Sequence, residues 1–236
     1  MNAPVAATED LIYAVEDGIA RITFNRPQAR NALTFAMYEQ MAAICEAVNA
    51  DRSIKAMILT GAGDKAFASG TDISQFRAFK TAQDALDYEA RIDRVLGALE
   101  QCRVPVIAAI AGACTGGGAG IAACCDIRIG TEATRIGFPI ARTLGNCLSM
   151  SNISRLVSLI GPARTKDLIF KARLVEAPEA LALGCSTRWC LTSRRCSAAP
   201  RRPRGLSPAT RRSRSRSPRK RYAAFAARCR ATRAKT

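Results

Sequence analysis

The sequence contains no histidine. That excludes a Ser-His or Cys-His nucleophile system and any His-ligated metal. It contains no C-x-x-C spacing, so neither a zinc ribbon nor a thioredoxin-like redox motif is supported. The longest apolar run, Val104 to Cys114, is too short to span a bilayer and is interrupted by Pro105. The stretch Met1 to Asp10 lacks a basic region followed by apolar residues, so no secretory signal is expected. Residues 185–236 lack acidic side chains altogether: they hold 17 Lys+Arg and no Asp or Glu, whereas residues 1–184 hold 19 of each. The whole formal charge of +17 therefore sits at one end.

What is present divides the chain into two kinds of polymer. Of 236 residues, 48% are hydrophobic, enough for one cored domain or two small ones. Residues 1–184 have the neutral, mixed composition of a globular domain. Residues 185–236 are rich in Arg, Ser, Pro and Ala, a composition that seldom builds a core. Six of ten cysteines, Cys45, Cys102, Cys114, Cys124, Cys125 and Cys147, lie in the body, several within apolar runs. They are expected to be buried, reduced thiols behaving as small hydrophobes, which makes a reducing cytoplasm the expected compartment.

Strand and helix signals alternate. Leu11 to Val15 and Ile19 to Phe24 read as a hairpin closed by Asp17-Gly18. Residues 34–50 place Met37, Met41, Ile44, Cys45 and Val48 on one helical face. Ala56 to Thr60 reads as a buried strand stopped by Gly61-Ala62-Gly63, and residues 81–101 as a helix. Val106 to Ala111 is a second buried strand. It runs into Gly116-Gly117-Gly118 and then an apolar helix, Ala119 to Cys124. Asp126 to Ile129 reads as a strand. Residues 149–160 and 162–172 read as two helices, the second opened by Pro162, and Pro178 to Leu183 as a last short one. The alternation predicts an α/β architecture.

The glycine turn is the first chemical signal. A strand, three glycines and a helix start aim several backbone N–H groups at one point, and the helix dipole adds positive potential there. Without Cβ atoms a ligand can approach the backbone closely. This is neither a Walker loop nor G-x-G-x-x-G. By itself the turn fits two readings equally: an anion or oxyanion site, or tight helix–strand packing.

Two further segments accompany it: Asn25-Arg26-Pro27-Gln28-Ala29-Arg30-Asn31-Ala32-Leu33, and Lys65-Ala66-Phe67-Ala68-Ser69-Gly70-Thr71-Asp72-Ile73. With Ala111-Gly112-Ala113-Cys114-Thr115-Gly116-Gly117-Gly118 they resemble, in order and spacing, the enoyl-CoA hydratase/isomerase (crotonase) family over residues 10–184. The resemblance implies a crotonase-like spiral of ββα turns, assembled as trimers or paired trimers. It implies an acyl-CoA thioester as substrate and no other cofactor. The thioester carbonyl would accept hydrogen bonds from the backbone N–H groups of Thr71 and Gly117; one such oxyanion donor is worth about 3–4 kcal/mol. Ala66, Ala68, Ser69, Gly70, Asp72 and Ile73 would line the adenine and pantetheine path beside Ala29. Arg26 or Arg30 would meet CoA phosphates. Asp72 is expected to order its loop rather than act on substrate.

The sequence departs from the family at the acid–base positions. Family hydratases carry one glutamate three residues after the middle glycine, where this chain has Gly120. They carry a second after the proline of a later loop, where it has Ile140. Hydration needs a base for water and an acid for the α-carbon, so ordinary hydration is not expected. No carboxylate lies between Glu132 and Asp167. In that loop Asn146 is a candidate hydrogen-bond donor to substrate, and Cys147 lacks a neighbouring base that would make it a nucleophile. Two readings compete: an acyl-CoA enzyme with an unidentified acid–base group, and an inactive acyl-CoA binder.

The tail admits two origins. With GC-rich codons, Cys185 to Thr192 read one base earlier gives L-L-D-E-V-V-P-D, which the family places there. Ser215 to Phe225 in the same shifted frame gives L-T-L-A-A-K-A-L-R-R-L. A one-base deletion near codon 184 accounts for both windows. The alternative is a nucleic-acid-associated tail, suggested by Ser213-Arg214-Ser215-Arg216-Ser217-Pro218-Arg219. Only Trp189, Tyr222 and Phe225 supply aromatic rings to it. Either way its arginines are expected to bind polyanions non-specifically.

Overall fold

The computed structural model describes residues 9–143, 145, 148–185 and the backbone of 188–190. The expectations for Asn146 and Cys147, and for residues 191–236, lie outside the described residues.

The chain opens with an antiparallel hairpin, β1 (Leu11–Glu16) and β2 (Ile19–Phe24). Asp17 (φ 50) and Gly18 (φ 74) turn it, both in the left-handed region that a two-residue hairpin turn requires. Helix α1 (Phe35–Ala50) follows, capped by the Thr34 hydroxyl accepting from the Met37 amide at 3.2 Å. Three repeats then give the body its form. Each lays one strand in a large sheet, one short strand in a small sheet, and then forms a helix. The first is β3 (Ala56–Gly61), β4 (Ala66–Ala68) and α2 (Ala82–Glu100). The second is β5 (Val106–Ile110), β6 (Ala113–Thr115) and α3 (Gly117–Cys124). The third is β7 (Ile127–Thr131) and β8 (Arg135–Gly137), followed by the single turn α4 (Ile140–Thr143) and the long α5 (Met150–Phe170). This is the expected spiral of ββα turns. Strand β9 (Leu174–Glu176), helix α6 (Ala177–Ala182) and strand β10 (Arg188–Cys190) complete it.

The large sheet has the order β1-β2-β3-β5-β7-β10, and the small one β4-β6-β8-β9. Parallel pairing from β2 through β7 buries β5 along its whole length, which explains its unbroken apolar run. The large sheet continues past residue 184, because 188–190 pair in parallel with 129–131 of β7. The main core joins the sheets to α1, α2, α3 and α5. Phe24 and Phe67 meet edge to face within it.

Three local features have physical causes. Helix α3 starts at Gly117 rather than Ala119, because Gly116 (φ 52) makes the turn alone and frees the next two glycines for the helix. Helix α5 is broken at Gly161 (φ 79), and Pro162 opens its second half, as the paired-helix pattern predicts. Leu86, an apolar residue of the 81–101 helix, is exposed, since it lies on the outer side of α2. Among the described cysteines, Cys45, Cys102, Cys114, Cys124, Cys125 and Cys185 are buried free thiols.

Candidate active site

The three sequence motifs converge. The turn 26–33 is held from inside by Asn31, which is fully buried. Its Oδ1 accepts from the Arg26 amide at 3.0 Å. Its Nδ2 donates to the carbonyls of Ala62 at 3.0 Å and Ala66 at 2.7 Å. Leu33 then runs beside Thr71. The Leu33 amide donates to Gly70 O at 2.8 Å, and the Asp72 amide to Leu33 O at 2.9 Å. The Ser69 amide donates to Arg30 O at 3.1 Å. From the other side, the Thr115 hydroxyl donates to Ser69 O at 2.9 Å. The second motif is thus clamped between the first and the glycine turn.

This clamp sets two backbone amides side by side. A Cβ on Gly117 would lie 3.5 Å from the Thr71 amide nitrogen, and a Cβ on Gly70 would lie 3.8 Å from the Gly117 nitrogen. Gly117 is the first residue of α3, where helix geometry leaves N–H groups without partners. Neither the Thr71 nor the Gly117 N–H has an acceptor among the described residues, and both residues are partly exposed. A Cβ on Gly117 would collide with the Tyr38 hydroxyl, so only glycine fits there.

Beneath these amides lies a hydroxyl cluster that the sequence reading missed. Thr71 Oγ1 shares hydrogen bonds with Tyr38 Oη at 3.1 Å and Tyr88 Oη at 2.8 Å. Burial, reinforced by the neighbouring Tyr88, pushes the Tyr38 phenol well above its ordinary range. Burial raises Tyr88 as well. Both therefore stay neutral donors at physiological pH. A signal for Tyr38 was present: Tyr38, Met41, Cys45 and Val48 keep helical spacing and all are buried. Tyr88 packs against Phe35, Phe76 and Phe79, forming an aromatic wall beside the site.

The remaining candidates fall in three groups. Ala66 and Ala68 are buried in β4, while Ala29 and Ser69 are half-buried at the mouth. Ile73 is 59% exposed beside them, an apolar side chain open to a ligand. Arg26 and Asp72 bind each other: Arg26 Nη1 donates to Asp72 Oδ2 at 2.9 Å and to Ala32 O at 2.8 Å. Asp72 also accepts from the Ser74 amide and hydroxyl. The Ser74 hydroxyl, then Arg26, hold its carboxyl below the usual range. Arg30 is exposed in a left-handed conformation.

Gly120 is buried in α3, facing α2 and α5. A Cβ there would stand 3.6 Å from Asn152 Oδ1 and 3.8 Å from Leu96 Cδ1. Ile140 is half-buried in α4. Neither supplies a proton-transfer group. Two carboxylates on α2 were not singled out from sequence, Glu89 and Asp93. Asp93 Oδ2 accepts from the Ser151 hydroxyl at 2.9 Å, and Oδ1 lies 3.7 Å from Arg155 Nη1. Glu89 is half-buried. Burial, then the charge of Asp93, raises its carboxyl above the ordinary range.

The match to known proteins agrees with this geometry. Residues 14–192 match the family model for enoyl-CoA hydratase/isomerase. The chain belongs to that family. It is 35% identical to the crotonyl-CoA hydratase of Syntrophomonas wolfei, over 75% of this chain and 68% of that protein. It is 37% identical to the short-chain-enoyl-CoA hydratase of Clostridium acetobutylicum, over 74% and 66%. The matches thus span about two thirds of those relatives' lengths. Among solved structures, an enoyl-CoA hydratase/carnithine racemase from Magnetospirillum magneticum superposes with a TM-score of 0.75 at 33% identity, covering 82% of this chain and 76% of that one. Among the described residues no helix is long and apolar enough to cross a membrane. Among them, too, no group of three His, Cys, Asp or Glu side chains could hold a metal ion.

Proposed function

We propose that this chain binds acyl-CoA thioesters and polarises the thioester carbonyl between the backbone N–H groups of Thr71 and Gly117. One observation carries the reading. Two partly exposed amides, with no acceptor among the described residues, stand together where three family motifs meet. Donors fixed in this way stabilise negative charge as it develops on oxygen, an enolate or a tetrahedral intermediate. The relatives' names, crotonyl-CoA hydratase and short-chain-enoyl-CoA hydratase, support a CoA thioester as the ligand. Arg26 stays with Asp72 and shapes the turn, while Arg30 is free to reach a CoA phosphate.

The reaction is not ordinary hydration, because Gly120 and Ile140 leave water without its usual base and the α-carbon without its usual acid. Isomerisation or another enolate reaction fits the site. The same two residues favour, as a second reading, a binder without turnover. Calorimetry on the full chain separates these from error: crotonyl-CoA is expected to bind more tightly than free CoA, and G117A to lose that preference. Equal affinity for the thioester and free CoA in the unmutated chain contradicts the proposal. We propose separately that the acid-free segment 185–236 gives salt-sensitive, sequence-independent attachment to polyanions. Retention on heparin that survives high salt contradicts it.

A further inference from the structure

The site as described lacks a group to move a proton, and α2, whose Tyr88 reaches Thr71, carries the carboxylate of Glu89 beside that tyrosine in sequence. Helix α2 has two polar flanks. On one, Arg91 and Arg94 reach Glu39 of α1. On the other, Asp93 and Glu100 meet Ser151 and Arg155 of α5, and Leu96 faces the position where Gly120 lacks a side chain. Glu89 lies on this second flank, one turn before Asp93 and two turns before Leu96. It directly follows Tyr88, whose hydroxyl is bonded to Thr71 at the paired amides. The stripe from Tyr88 to Leu96 therefore runs from the amide pair to the vacant glutamate position.

We propose that Glu89 is the proton-transfer residue of this chain, taking over from the absent family glutamates in the isomerisation of 3-enoyl-CoA thioesters. This rests on the acyl-CoA reading above. The other carboxylates nearby are committed. Asp72 is bound to Arg26 and Ser74, Asp93 accepts from Ser151 and has its Oδ1 3.7 Å from Arg155 Nη1, Glu100 is bound to Arg155, and Glu39 to Arg91 and Arg94. Glu89 forms no ion pair and accepts no side-chain hydrogen bond among the described residues. Burial and Asp93 both favour its protonated form, which suits a group that must accept a proton and give it back.

The step balances without a co-reactant. Glu89 takes a proton from the α-carbon. The C–H bond breaks, and its electron pair passes into the dienolate, whose oxygen is held by Thr71 and Gly117. The carboxyl then returns the proton to the γ-carbon. The double bond has moved, and the carboxylate is restored.

The test uses the full chain in deuterium oxide with two probes, butyryl-CoA for α-proton exchange and 3-butenoyl-CoA for isomerisation, with binding followed by calorimetry. E89Q is expected to slow both reactions about 100-fold or more, with affinity within about twofold and a melting temperature equal to or above that of the parent. E89D should retain partial activity. D87N, at an exposed position on the same helix, should match the parent. A parent that binds both probes yet exchanges no proton, or an E89Q that reacts at the parental rate, overturns the inference and leaves the binding site standing. Failure of the parent to bind any CoA thioester overturns the acyl-CoA reading itself and the inference with it.

Discussion

At the scale of single residues, two small side chains show how differently this fold treats its positions. Asn31 fills three hydrogen bonds inside the turn that carries the first motif, with no solvent to replace them. Asn31→Ala leaves two carbonyls and an amide without partners and is expected to cost about 3 kcal/mol, read as a lower midpoint in urea denaturation. Gly120 is the opposite case. It is helical and its missing Cβ would find only ordinary contacts at 3.6 and 3.8 Å. Gly120→Ala is expected to be tolerated and to add up to about 1 kcal/mol through helix propensity, seen as a raised melting temperature. A large loss would show that the backbone of α3 needs glycine there. No steric reason at the Cβ therefore excludes a side chain at this position.

At the scale of elements, the short helix α3 does two tasks. Its first turn presents the Gly117 amide, and its flank lies directly on β4. A Cβ on Gly118 would overlap the Ala68 carbonyl oxygen and stand 2.7 Å from the Ala68 Cβ. Gly118→Ala must therefore push α3 away from β4 and spread the Thr71 and Gly117 amides. It is expected to cost about 1–3 kcal/mol and to weaken crotonyl-CoA binding, whereas Gly120→Ala on the same helix weakens neither. Calorimetry and thermal melts on both variants check this. The long elements were legible in the sequence. The hairpin, α1, α2, β3, β5 and both halves of α5 carry periodicity or punctuation over many residues. The small sheet was not. Strands β4, β6, β8 and β9 have three residues each, too few for an alternating pattern, and they form by pairing with one another across turns distant in sequence. The site divides the same way. Thr71 and Gly117 could be named because the resemblance to the family's motifs marks their positions. The helical spacing marked Tyr38 as buried but gave it no role, and Tyr88 and Glu89 carried no signal, because two helices distant in sequence must pack before Tyr38 and Tyr88 meet Thr71.

At the scale of the whole molecule, charge decides the response to acid. Asp72, Asp167 and Glu179 all sit below their ordinary range. Asp72 is lowered first by Ser74 and then by Arg26, Asp167 by Lys171 and Arg173, and Glu179 by Arg173. A carboxyl whose folded value is depressed lends stability above its unfolded value, and that stability is lost as pH falls through the folded value. Glu89 acts in the reverse sense, since its raised value lowers stability as pH climbs above the ordinary carboxylate range. The expected melting profile is flat from neutrality down to about pH 5 and falls steeply below about pH 4. Protonation there also adds to an already positive chain. A profile unchanged to pH 3 would mean that these ion pairs contribute nothing.

The role proposed for the Thr71 and Gly117 amides is to hold the oxygen of a bound thioester. Infrared spectroscopy of crotonyl-CoA labelled with carbon-13 at the thioester carbonyl reads that bond directly. A lower carbonyl stretching frequency is expected on the protein than in water, and a frequency near the solution value in G117A. A bound thioester whose carbonyl vibrates as it does in free solution would contradict that role.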